Sequence, residues 1–188
     1  MPIPEDFYSF ESNEPFEACL VCKVDLLGGE VDYFIEKAIR NYPEHDVRDV
    51  VYEYALCSHC AQEMNEKMSS ASMMNLQNYF SGNHSFMAKV TNYTNNWQQL
   101  DESPLDDHCA MTGVHKSELD EYMIYGHFKG NQMIRSTMPF LLSGKVMDDV
   151  ANLLSDETVD ELDDFMGEYF GGPPELEELW KPRRPVFF

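Results

Sequence analysis

Two C-x-x-C pairs, Cys19-Leu20-Val21-Cys22 and Cys57-Ser58-His59-Cys60, constrain this 188-residue chain more than any other feature. Two thiols at this spacing in a turn point the same way and chelate one ion. Two such pairs complete a tetrahedral site of four sulfurs, the closed geometry of structural zinc. Cys19, Cys22, Cys57 and Cys60 are therefore the expected metal ligands, and one zinc ion is the expected cofactor, with iron the weaker alternative. Four thiolates leave no open coordination position, so such an ion would not activate water. His59 lies between two ligands and is expected to face solvent; ligation or donation to sulfur is its alternative role.

The surrounding pattern gives the cysteines a setting. Gly28-Gly29 precede a strand from Val31 to Ile39, and Asn41-Tyr42-Pro43 breaks it. A second β-branched and aromatic run, Val47 to Leu56, ends directly on Cys57. From Ala61 the period changes: Ala61, Met64, Met68, Ala71 and Met74 recur at three and four, which predicts an amphipathic helix ending before Gly82. The methionine stripe is expected in the core. A helix start at the second pair would lower thiolate pKa values and offer N–H groups to sulfur.

This order of knuckle, hairpin, and knuckle at a helix N-terminus resembles the treble-clef class of zinc fingers over residues 19–80. The resemblance implies a metal-supported fold and little chemistry, because that class hosts many functions. No glycine follows the second cysteine of either pair, where Lys23 and Ala61 stand; this disfavours a rubredoxin-like iron centre more than zinc.

The second half reads as a degenerate, metal-free copy of the first. Glu14-Pro15-Phe16-Glu17-Ala18-Cys19 resembles Ser103-Pro104-Leu105-Asp106-Asp107-His108-Cys109, and Tyr33-Phe34-Ile35 has its match in Tyr122-Met123-Ile124. Thr112 stands at the second cysteine's place, and Pro139 to Leu142 stand near the second knuckle. Cys109 is then a leftover thiol; with His108, His115 and His127 it could instead form a second metal site or a cysteine–histidine pair. A hairpin is expected from Glu121–Phe128 and Gln132–Leu142 around Gly130. One helix should start at Ser143 and run to Leu154. Another should start at Ser155 and carry Val159, Leu162, Phe165, Met166 and Phe170 to a stop at Gly171-Gly172-Pro173-Pro174. The expected class is α+β. Its divisions are a zinc-binding unit at 1–82, a linker with some helix at 83–101 anchored by Trp97, a degenerate hairpin-helix unit with acidic helices at 102–172, and a Pro-rich tail at 173–188.

Charge narrows the partners. Thirteen basic against 34 acidic residues give a net charge of −21. Such a surface repels phosphate backbones and anionic membranes, so neither nucleic acid nor membrane is an expected partner. The acid is densest from Asp148 to Asp164, where it is a solvated surface or a docking face for a basic protein. The N-terminus has no basic start or apolar stretch, and Met138–Leu142 is too short to span a bilayer. A cytoplasmic location follows as an expectation, and with it reduced cysteines. No Gly-rich phosphate loop, HExxH or GxSxG occurs. The expected function is therefore a non-enzymatic protein-interaction or adaptor module with a structural zinc. The rival is a thioredoxin-like thiol–disulfide oxidoreductase using Cys57 and Cys60. Its support is a C-x-x-C at a helix start, and Met138-Pro139 where that family carries a cis-proline.

Overall fold

A computed structural model describes residues 1–45, 47–95 and 105–171. Its strands are β1 (Asp32–Tyr42), β2 (Val47–Cys57), β3 (Glu121–Lys129), β4 (Gln132–Met133) and β5 (Phe140–Ser143). Its helices are α1 (Ser58–Lys67), α2 (Ser70–Gly82), α3 (His84–Asn95), α4 (Gly144–Ala151) and α5 (Asp156–Phe170). The named strands pair antiparallel in the order β2-β1-β3-β4, and β5 pairs with β3 beside β4. The fold is thus α+β, with one sheet drawing on both halves of the chain. Among the described residues no helix is long and apolar enough to cross a membrane.

β1 is the central strand, and its alternation decides what packs on each face. Glu36, opposite Tyr54 on β2 and Tyr125 on β3, faces α5. The Tyr54 ring lies 5.8 Å from Phe165, and the Tyr52 ring lies 5.5 Å from Phe170. The hydroxyls of Tyr54 and Tyr52 donate to the buried Glu36 carboxylate at 2.6 and 3.1 Å, satisfying an acid that would otherwise be costly to bury. Burial and this carboxylate push the Tyr54 hydroxyl far above its ordinary range.

The opposite face takes the N-terminal segment. Phe7 is fully buried and meets Phe128 edge-on at 5.1 Å, while Tyr33 stacks on Phe128 at 5.5 Å. Gly126 makes that packing fit: a Cβ there would lie 2.6 Å from the Phe128 ring and 2.8 Å from Phe7. The Lys37 ammonium pairs with Glu53 at 3.1 Å and donates to the Tyr8 carbonyl at 2.6 Å, pinning the segment to the sheet.

Two expected elements come out divided. The single helix over Ala61–Ser81 is two. Met68 and Ser69 adopt extended backbone, and Ser69 caps α2 by accepting from the Ser72 N–H. The break resets the helical phase. Ala61, Met64 and Met68 are buried as expected, but Ala71 and Met74 are exposed, and Ser72, Leu76 and Phe80 face inward instead. The helix expected within the linker is α3, whose Phe86 reaches Phe80 at 5.1 Å and Phe140 at 5.4 Å. Phe86 and Tyr93 are its buried residues; Trp97 lies outside the described residues, as does the tail 173–188.

The strand expected over Gln132–Leu142 is also split. β4 follows the turn at Gly130 (φ 53°), and β5 returns to the other end of β3. Between them lies a cis Met138–Pro139 bond, and Pro139 has no N–H to give to a ladder.

Candidate metal centre

The first pair sits in a turn closed by a bridge between Ala18 and Asp25. The Cys19 N–H donates to the Val24 carbonyl at 3.0 Å, and the Lys23 N–H donates to the Cys19 carbonyl at 3.0 Å. The Leu20 N–H donates to Ala55 of β2 at 2.8 Å, which holds the turn beside the strand that delivers the second pair. Cys57 is the last residue of β2 and the N-cap of α1, with extended backbone (φ −64°, ψ 154°). Cys60 lies in the first turn of α1. A strand end, a helix start and a short turn therefore converge.

They bring the four Sγ atoms within 4.8 Å of one another. Cys22 and Cys57 are 3.6 Å apart. A disulfide needs about 2.05 Å. Zn–S bonds of about 2.3 Å in a tetrahedron give sulfur–sulfur edges of about 3.8 Å. The spacing fits four ligands around one ion, and the four thiols are unbridged. Cys19, Cys57 and Cys60 are buried (0, 2 and 2% exposed), whereas Cys22 is exposed.

The electrostatics differ from one sulfur to the next. Burial alone would raise the Cys19 thiol, but N–H groups of Cys57, Cys22 and Val21 bond its sulfur, the first at 3.4 Å, and hold it below the ordinary thiol range. Burial pushes Cys57 up. Cys60 is driven much higher by burial and by the neighbouring sulfurs. Four thiolates packed this closely repel unless a divalent ion compensates them, and metal binding is what deprotonates such a set. The residues present therefore fit a thiophilic divalent ion such as zinc.

The knuckle carries one strained residue. Lys23 has φ 61°, the left-handed region that follows the second cysteine of such a turn. Its ammonium bonds the exposed Leu20 carbonyl at 2.5 Å, a contact of small worth in water. Lys23→Gly relieves the strain at some cost in unfolded-state entropy. It is expected to stabilise the protein by roughly 0.5–1 kcal/mol in the midpoint of urea unfolding.

The remaining candidates do not converge. His59 is exposed, with Nε2 3.5 Å from Glu63. His108 bonds Asp106 at 2.8 Å and its ring lies 5.0 Å from that of His115. His127 stacks on Phe34 at 4.4 Å, on the far end of β3. Cys109 is buried, with Sγ 3.6 Å from the Ser143 hydroxyl. Among the described residues, the four cysteines are the one cluster suited to a metal. Sequence reasoning does not single out the buried Glu36 with its tyrosines; a lone acid inside the apolar run Tyr33–Ile39 is the available signal.

For thiol–disulfide exchange, an attacking cysteine needs a lowered pKa, but burial raises both Cys57 and Cys60. That family's resemblance also implies β-α-β units, whereas the strand pairs described here are antiparallel. Neither observation favours the exchange reading.

No family model matches the chain, and neither the curated proteins nor the solved structures yield a match. Fold and site together define an α+β protein with a four-cysteine cluster suited to one metal ion.

Proposed function

We propose that the four cysteines hold one zinc ion as the structural support of a treble-clef-like unit, and that the protein acts by binding other proteins and not by catalysis. The convergence of four thiols within 4.8 Å carries the first part. A site closed by four sulfurs has no position for a substrate, which supports the second. The partner's chemistry follows from charge. α5 exposes Asp156, Glu157, Asp160, Asp163 and Asp164 on a chain of net charge −21, a face complementary to a basic protein surface.

Protein purified without reductant or chelator is expected to carry about one zinc per chain and no disulfide, by elemental analysis and thiol titration. Zinc-free protein cycling between dithiol and disulfide would overturn the reading. Affinity capture with the intact chain, and with residues 173–188 removed, should return a basic protein whose retention falls with added salt, as screening of surface charges requires.

A further inference from the structure

The hydrogen bonds that shape the Cys19 turn recur around Cys109. The Cys109 N–H donates to the Val114 carbonyl at 2.8 Å, as Cys19 does to Val24. Gly113 donates to the Cys109 carbonyl at 2.9 Å, as Lys23 does to Cys19, and Gly113 repeats the left-handed backbone at φ 72°. The Ala110 N–H donates to Leu141 of β5 at 2.8 Å, as Leu20 does to Ala55 of β2. The sulfurs match too. The Cys109 Sγ accepts from the Ser143 N–H at 3.3 Å, and the Cys19 Sγ accepts from the Cys57 N–H at 3.4 Å.

The match continues through the strands and helices. Tyr33 pairs with Cys57, and Tyr122 pairs with Ser143. Ser143 caps α4 with φ −70° and ψ 155°, close to the values of Cys57 at α1. Cys60, Ala61 and Met64 of α1 and Val146, Met147 and Val150 of α4 are buried at one constant offset, and so are Ser72 and Leu76 of α2 with Thr158 and Leu162 of α5; Gly144 is buried in α4 alone, its counterpart Ser58 being exposed.

The two sets also meet as a two-fold symmetric interface would, each contact occurring twice with the partners exchanged. At the helix caps, the Ser69 N–H donates to the Thr158 hydroxyl at 3.0 Å, and the Ser155 N–H donates to the Ser72 hydroxyl at 2.8 Å. The Ser69 and Ser155 hydroxyls meet at 2.8 Å between them. A chance resemblance of short sequences has no reason to reproduce reciprocal contacts.

We infer that the chain is a fused pseudo-dimer of one metal-knuckle unit, and that Cys109, Thr112, Ser143 and Val146 occupy the four ligand positions of a second centre for a thiophilic divalent cation, now lost. The inference rests on reading Cys19, Cys22, Cys57 and Cys60 as a zinc site. It moves the second knuckle from Pro139–Leu142, where sequence comparison places it, to Ser143 and Val146. In this copy the Thr112 and Ser143 side chains bond the Cys109 sulfur, and the buried, apolar Val146 stands at the fourth position. Hydrogen bonds and packing do there what the ion does in the first copy.

Restoring the ligands tests this. The variant Thr112→Cys/Ser143→Cys/Val146→Cys is expected to bind two equivalents of zinc per chain where the parent binds one. Its cobalt complex should show twice the parent's thiolate charge-transfer absorbance. A folded variant that still holds one equivalent would overturn the inference. A parent that holds none would instead overturn the zinc reading itself. If the triple variant does not fold, Thr112→Cys/Ser143→Cys, a near-isosteric pair that leaves Val146 in place, should still take up a second cobalt ion on three thiols. Its failure to do so, folded or not, counts against the lost centre.

Discussion

Cys57→Ser protein is expected to lose its zinc and to unfold as a whole under conditions where the parent is fully folded. Serine keeps the helix cap and the N–H that bonds the Cys19 sulfur, so the substitution removes little besides a ligand. Structural zinc bound by thiolates supplies on the order of 10 kcal/mol of folding free energy, comparable to the whole stability of a domain, about 5–15 kcal/mol. The loss cannot stay local. β1 lies between β2, which delivers Cys57, and β3, with which it pairs from Asp32 to Arg40, so its release opens the centre of the sheet. Zinc content, circular dichroism and amide exchange of β1 and β3 measure this. Retention of a full equivalent of zinc, or native protection of β1, would contradict it.

The second large effect is apolar. Phe128→Ala removes a fully buried ring that touches both Phe7 and Tyr33, at a site where Gly126 gives the neighbours no side chain with which to fill the gap. The expected cost is about 3–5 kcal/mol in urea unfolding. Because Phe7 loses its partner, the segment around Glu5–Phe7 should become the first site of limited proteolysis. Zinc content should stay at one equivalent, which separates this loss from that of Cys57→Ser. A cost under about 1 kcal/mol would mean that the N-terminal segment packs elsewhere.

The four-cysteine cluster was legible because its chemistry is local: two thiols in one turn announce themselves by spacing, and the strand ending on Cys57 supplies the rest. β1 and β2 were legible for the same reason, through alternation over a continuous run. What escaped was decided by single residues acting across the fold. Ser69 splits a helix whose apolar period reads as continuous through Met68 and Ala71, because an N-cap bond to Ser72 outweighs the small apolar burial that an unbroken helix would add. α3 was legible as some helix but not by its bounds, because its buried residues are just Phe86 and Tyr93. The match between the halves could be sensed from Cys109 and Tyr122, but its register could not. Pro139 draws the eye as a landmark, whereas the equivalent of Cys57 is Ser143, recognisable only by the N–H it directs at sulfur.

The uneven burial of the four thiols gives the centre a single door. Cys19, Cys57 and Cys60 are sealed by β2, α1 and the core, and Cys22 alone meets solvent. A chelator, oxidant or competing ion would therefore reach a metal held there through Cys22 first. An ion held by the four sulfurs would have its lifetime set at that one sulfur and its affinity set by all four.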